Sequence, residues 1–222
     1  MDSKIFKLAN ILIFMLILSG TSYGDELSLI NFFAPGPGVK NTYSCEFPCD
    51  HIEISSHPIN DKSTIELEEI MYFSDTLKKK NLELPLSTAN KYTLHLMADR
   101  IVKSDGSKES VLLMKPLQMA TNWEIKGIMG EVKNSQDLSK LKEKQVSWAC
   151  KIASIYDEKL FIKDRKVIKV ECLSNFTPKE VLTWKYASGI GLIENSTAYE
   201  AKDGSFLEKK IMTITKHDEP MR

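Results

Sequence analysis

The sequence predicts a mainly β protein, in which an antiparallel sheet curves into a sandwich or an open half-barrel with at most one or two short helices. Short stretches that alternate apolar and polar residues recur along the chain, as in His51-Ile52-Glu53-Ile54-Ser55, and this period of two is typical of strands with one buried face. The stretches are rich in β-branched and aromatic residues, which favour strands. Close turn sequences such as Ser104-Asp105-Gly106-Ser107 separate them, as expected for antiparallel hairpins.

Residues 1–24 predict a cleaved secretory signal. Lys4 and Lys7 make a short basic start, residues 11–18 are continuously apolar, and small residues precede a cleavage point after Gly24. An apolar run this short cannot cross a hydrocarbon core, which needs about 20 helical residues. We therefore expect a periplasmic or secreted protein with no membrane span after cleavage.

The remaining chain is predicted to form one domain. Residues 25–41 contain the run Asn31-Phe32-Phe33-Ala34-Pro35-Gly36-Pro37-Gly38, whose prolines and glycines predict an extended lead-in or linker without regular helix. Residues 42–217 are predicted to be a single β-rich domain of ordinary length. Residues 218–222 are predicted to be a tail.

About ten strands are expected within this domain. In chain order they cover residues 51–55, 63–73, 91–97, 110–114, 123–126, 145–156, 160–162, 167–173, 181–186, 191–199 and 206–215. Residues 63–73 also fit a short helix, but the β-branched start and aromatic end favour a strand.

The connections between these strands include one predicted helix. Residues 135–144 are the only good amphipathic helix candidate, with Leu138 and Leu141 three positions apart. The charged run Lys163-Asp164-Arg165 predicts a turn between the short strand at 160–162 and the strand that follows.

The four cysteines predict two disulfides, because an even number in an exported chain is typical of such bridges. Local spacing favours Cys45 with Cys49 and Cys150 with Cys172. The predicted strand at 160–162 conflicts with the second pair: a strand lying between them would hold these cysteines about 10 Å apart, too far for a bridge.

The charge balance excludes one class of partner. The chain has 30 basic and 30 acidic residues and a formal net charge of zero. Because affinity for nucleic acid comes mainly from clustered Lys and Arg that neutralise phosphates, a nucleic-acid partner is not expected.

Three segments of the second half occur in a characteristic order. Leu112-Leu113-Met114-Lys115-Pro116-Leu117 leads to Thr121-Asn122-Trp123, Cys172 precedes an apolar strand, and Trp184-Lys185-Tyr186-Ala187-Ser188-Gly189-Ile190-Gly191-Leu192-Ile193 follows. Together these segments resemble a loose group of bacterial exported β-rich proteins and lipoproteins, many of unknown function.

Residues 186–193 resemble the closing motif of this group, which is aromatic, Ala, Pro, Gly, apolar, Gly, Leu and Val or Ile. The chain departs from the pattern at Ser188, where Pro is usual, and at Met119-Ala120, where Gly is usual. The resemblance covers residues 112–206 and, weakly, the segment at Phe33. It implies a fold and a bacterial envelope location but little about chemistry.

No catalytic or cofactor motif is present in the sequence. Neither Gly-x-Ser-x-Gly nor His-Glu-x-x-His occurs, so we predict that the protein is not an enzyme. His51 and His57, near Cys45 and Cys49, are weak metal candidates, but an oxidising compartment favours a disulfide over a zinc site. No metal or other cofactor is expected.

Five aromatic residues form either an aromatic core or the lining of a ligand pocket; they are Trp123, Trp148, Trp184, Tyr186 and Phe206. Asn175 and Asn195 begin glycosylation sequons, which have meaning only in a eukaryotic host.

The leading functional hypothesis is a non-catalytic interaction or structural component of the bacterial envelope, with an envelope protein as partner. The alternative is a carrier that encloses a lipid or other apolar ligand in its curved sheet, similar to the outer-membrane lipoprotein carrier architecture. An envelope hydrolase or metal protein is the third hypothesis. A carrier requires an apolar cavity of several hundred Å³ lined by Trp and Met, whereas an interaction protein requires a filled core and an exposed apolar patch or unpaired strand edge.

Overall fold

The structure is a computed structural model that describes residues 28–33, 38–46, 48–58, 63–74, 87–106, 108–131 and 142–219. The predicted signal at residues 1–24 and residues 135–141 of the predicted helix lie outside the described residues. Residues 142–144, which were included in that predicted helix, belong to a strand.

The described residues form one short helix and twelve strands. The helix α1 spans Ile30–Phe33. The strands are β1 Lys40–Cys45, β2 Cys49–Pro58, β3 Thr64–Phe73, β4 Ser87–Leu96, β5 Arg100–Ser104, β6 Glu109–Met114, β7 Asn122–Glu131, β8 Lys142–Leu160, β9 Lys163–Ser174, β10 Glu180–Ala187, β11 Gly191–Glu200 and β12 Phe206–Asp218. The sequence prediction missed β1 and β5, whereas the preference for a strand at residues 63–73 is confirmed.

All twelve strands join in a single antiparallel sheet, in the order β6-β5-β4-β3-β2-β1-β12-β11-β10-β9-β8-β7. Each strand pairs with its neighbours in sequence except at β6 and β7, which are the two edges of the sheet, and β1 also pairs with β12 in the middle of the sheet. The sheet therefore consists of two consecutive six-stranded meanders.

The sheet rolls until its two edge strands meet. Trp123 on β7 donates a hydrogen bond from Nε1 to the carbonyl oxygen of Val111 on β6, at 3.1 Å. The predicted fold class, a mainly β protein with a curved antiparallel sheet, is thereby confirmed. Its form is one rolled sheet rather than two separate stacked sheets.

The inner face of the rolled sheet carries the hydrophobic core, as the alternating sequence predicts. On β2, Ile52 and Ile54 are buried in the core. Glu53, between them, faces outward and its Oε1 lies 2.7 Å from the ammonium group of Lys40. This alternation follows from the opposite directions of successive side chains in a strand.

The described part of the lead-in segment predicted at residues 25–41 is not an extended linker. Ile30–Phe33 forms a helical turn, and the side chains of Leu29 and Phe32 are only 2% and 1% exposed. The Gly189 N–H donates to the carbonyl oxygen of Asn31 at 2.7 Å, which ties this turn to the sheet. The free energy gained by burying two large apolar side chains outweighs the weak helix propensity of this segment.

Both predicted disulfides are present. Cys45–Cys49 connects the end of β1 to the start of β2. Cys150 on β8 and Cys172 on β9 are direct cross-strand partners, because no strand lies between them.

The strand predicted at residues 160–162 is wrong, and so is the turn predicted at Lys163-Asp164-Arg165. Leu160 ends β8, Phe161 and Ile162 form the loop, and β9 starts at Lys163. The loop residues have φ values of 49° and 76°, as in the two-residue turns that match strand twist. The position of the turn is set by the long β8–β9 pairing, which places Ile152 opposite Val170 in the core. This pairing outweighs the strand propensity of Ile162, whose side chain is 91% exposed.

Candidate ligand-binding cavity

The rolled sheet encloses a cavity of about 370 Å³. Side chains from most of the strands line it, and most of them are apolar, including Leu67, Leu94, Leu182 and Met212. Small-molecule sites in proteins have volumes of about 300–1,000 Å³ and predominantly apolar walls. The cavity is therefore large enough for a small ligand.

One end of the cavity is closed by α1 and the β10–β11 turn. Phe32 and Ile190 are almost completely buried there. The Asn41 side chain donates to the Ile190 carbonyl oxygen at 3.2 Å, and Tyr43 O–H donates to the Leu192 carbonyl oxygen at 2.8 Å. These bonds join β1 to the turn, so that the closed end is a fixed floor.

Three of the five predicted aromatic residues line the cavity: Trp148, Trp184 and Tyr186. Trp148 is held in place because its Nε1 donates to Oε2 of Glu180 at 3.2 Å. Trp148 and Trp184 are half-buried, as expected for rings that border an open volume.

The other two predicted aromatic residues have different positions. Trp123 is buried in the core at the junction of the sheet edges and does not line the cavity. Phe206 is 45% exposed at the start of β12, so its assignment to a pocket is wrong. The reason is its register: Phe206 pairs with Glu200 at the far end of β11, beyond the enclosed volume.

One polar atom of the cavity residues, the buried Oδ1 of Asn195, has no hydrogen-bond partner among the described residues. Complete burial raises the pKa of Tyr186 above its ordinary value, so the phenol stays protonated and able to donate. Tyr186 can therefore donate to a polar group of a ligand inside the cavity.

The cavity has a charged mouth where it meets a polar depression. Glu69 on β3, Tyr92 on β4 and Lys103 on β5 line both the cavity and a polar depression outside it. The Lys103 ammonium nitrogen lies 3.8 Å from the centroid of the Tyr92 ring, in the geometry of a cation–π contact. Burial, reinforced by the negative charge of Glu69, raises the pKa of Tyr92 above its ordinary value.

Sequence reasoning missed Glu69, Lys103 and Asn195 as cavity residues. The alternation of side chains along a strand was the available signal. Glu69 lies two positions from Leu67 and Lys103 two positions from Ile101, so each charged residue faces the same side of the sheet as an apolar cavity residue. A charged residue at an inward-facing position is the pattern that points to such a site.

The two histidine candidates lie too far apart to bind one metal ion together. His51 and His57 are six positions apart along β2, a separation of about 20 Å at the usual rise per strand residue. His51 Nδ1 lies 2.8 Å from Asp50, and His57 Nε2 lies 3.5 Å from Glu68. Cys45 and Cys49 are bonded to each other, and within the described ranges no group of three or more His, Cys, Asp or Glu is positioned to hold a metal ion.

The two sequons differ in accessibility. Asn175 is exposed, and its Oδ1 accepts the Ser147 N–H at 3.0 Å. Asn195 points into the cavity, where no glycan has room.

Comparisons with known proteins identify two structural neighbours. A candidate exported protein with a YmcC-like fold from Bacteroides fragilis is 12% identical, with a TM-score of 0.41. A candidate lipoprotein from Parabacteroides distasonis is 9% identical, with a TM-score of 0.45. Each alignment covers 83% of this chain and 99% of the other. Similarity at this level assigns neither ligand nor activity.

No family model matches the chain, and no curated protein matches it. In the part of the chain that the structure describes, no helix has the length and apolar character required to span a membrane.

Proposed function

We propose that this chain is an exported, non-catalytic β protein that binds a small apolar molecule inside its rolled sheet. The observation that carries the proposal is the cavity of about 370 Å³. Its walls include Trp148, Trp184 and Met212, which are the residue types expected of a carrier. An enclosed apolar volume removes a ligand's hydrocarbon surface from water, which favours binding by about 25 cal/mol per Å² of buried area.

Export is supported by features outside the cavity. Both disulfides are formed in the structure, and disulfides persist mainly in oxidising compartments. The signal-like pattern of residues 1–24 points to the same location.

The test is the binding of N-phenylnaphthylamine, an uncharged probe whose fluorescence rises in apolar surroundings. The wild type should bind it, and Leu182→Trp should weaken binding at least about tenfold because the larger ring fills the cavity. Leu173→Trp is the matched control: Leu173 lies on the adjacent strand and is 42% exposed, so this variant should bind as the wild type does. No binding by the wild type, or equal binding by Leu182→Trp, would contradict the proposal.

An interaction role is the second candidate function, favoured by the first half of β12. In the described residues, Phe206–Lys210 pair with β11, whereas β1 pairs with β12 only from Met212 onward. Leu207 is 66% exposed on this segment, and a free strand edge is a surface for strand addition. Native mass spectrometry of protein purified from its own host separates the two functions, because a bound small molecule and a bound subunit differ in mass.

A further inference from the structure

The mouth of the cavity holds one cation and one carboxylate that are not paired with each other. Lys103 and Glu69 both line the cavity and are half-buried. No described residue forms an ion pair with either within 4.0 Å, although Lys103 contacts the Tyr92 ring. Partial burial of an unpaired charge costs free energy, so each group gains from a partner of opposite charge.

Neighbouring charges do not supply those partners. The ammonium group of Lys91 lies 3.4 Å from Glu66 and 3.8 Å from Glu68, on the outer face. Asp105, in the polar depression, accepts the backbone N–H of Lys108 at 3.3 Å. Lys103 and Glu69 are the charged residues that line both the cavity and the depression, and neither has an ion-pair partner among the described residues.

We propose that the ligand is a zwitterionic amphiphile. Its hydrocarbon tail occupies the cavity, its anionic group lies against Lys103, and its cationic group lies against Glu69. This inference rests on the proposed function, since the tail needs the apolar volume. It also extends that function by specifying the head group.

Other head groups match the mouth less well. A purely anionic amphiphile satisfies Lys103 but brings a like charge towards Glu69, and opposed like charges reduce affinity. An uncharged amphiphile leaves both groups without partners after the tail has displaced water from the mouth. A head group with both charges compensates both residues.

The experiment compares three probes with the same twelve-carbon tail, each kept below its micelle concentration: dodecylphosphocholine, dodecyl phosphate and dodecanol. Binding is followed through tryptophan fluorescence, because Trp148 and Trp184 line the cavity. The wild type should bind dodecylphosphocholine about tenfold more tightly than either other probe.

Three variants separate the contributions of the charges. Lys103→Gln and Glu69→Gln should each weaken dodecylphosphocholine binding about tenfold, with little effect on dodecanol. Glu69→Gln should strengthen dodecyl phosphate binding, because a repulsion is removed. Lys151→Gln, which removes an exposed cation on β8 that lines neither the cavity nor the depression, should leave all three affinities unchanged.

The outcomes distinguish this inference from the function on which it rests. If dodecanol or dodecyl phosphate binds the wild type as tightly as dodecylphosphocholine does, the cavity function stands and the zwitterionic head group is wrong. Affinities that do not respond to Glu69→Gln or Lys103→Gln overturn the head group in the same way. If none of the three probes binds, the cavity function itself is wrong.

Discussion

Asn41 is a buried polar residue at the floor of the cavity, and its side chain forms three hydrogen bonds. It is 1% exposed, and its amide group donates to Tyr43 and to the Ile190 carbonyl oxygen. Its Oδ1 lies 2.7 Å from Nδ1 of His217, which donates because the amide oxygen can only accept. The floor therefore depends on a His217 that carries a proton on Nδ1.

His217 gives the molecule a pH dependence. Burial, together with the nearby Arg165 guanidinium, lowers the pKa of His217 below its ordinary value of 6.5. As the pH falls below about 6.5, the unfolded chain takes up a proton that the folded protein resists, so stability decreases. We expect the free energy of unfolding, measured with urea, to fall between about pH 7.5 and pH 5.

In the variant His217→Asn, this part of the slope of unfolding free energy against pH should be absent, whatever the stability of the variant at neutral pH. His57→Asn is the matched control, because His57 is an exposed histidine and its removal should leave the slope intact. An identical slope in wild type and His217→Asn would show that another group is responsible.

The β8–β9 hairpin is the longest element of the sheet, and Cys150–Cys172 links its two strands across 22 positions. Cys45–Cys49 spans only 4 positions at the β1–β2 connection. The entropy that a crosslink removes from the unfolded chain grows with the length of the closed loop. The two bridges are therefore unequal in their effect on stability.

Replacing Cys150 and Cys172 together with Ser should lower the free energy of unfolding by about 3 kcal/mol. The same replacement of Cys45 and Cys49 should cost about 2 kcal/mol and serves as the matched comparison. Urea denaturation of both double variants under non-reducing conditions measures the difference. A larger loss from the short loop would contradict the loop-length explanation.

Sequence pattern predicted the strands well where inward residues alternate, as at Ile52 and Ile54. It failed where distant pairing decides the structure. The Phe161-Ile162 loop has strand propensity, and only the cross-strand register of Cys150 with Cys172 locates the turn there. The cavity was foreseen only as an alternative, because the sequence pattern does not reveal whether inward-facing aromatic side chains fill the interior or leave a space.

The rolled sheet closes where β6 meets β7, and among the described residues a single indole hydrogen bond crosses this junction in addition to apolar packing. Trp123 supplies it from β7 to Val111 on β6. In the described residues, the ladder of strand pairing does not continue across these two edges. The junction is therefore the weakest part of the wall.

Trp123→Phe should lower the free energy of unfolding by about 1 kcal/mol through the lost hydrogen bond, and should speed amide hydrogen exchange in β6 and β7. Trp184→Phe is the control, since it makes the same change in a ring that lines the cavity away from the junction. Equal exchange in β6 and β7 for both variants would argue against a closing role for Trp123.

The pairing of β1 with β12 limits the order in which contacts can form during folding. Every other strand pair forms between neighbours in sequence, so each six-stranded meander can assemble from contacts that are local along the chain. The Asn41–His217 contact spans 176 positions and forms only when the two meanders meet. Because Tyr43 on β1 and Met212 on β12 both line the cavity, the cavity wall is complete only after this pairing.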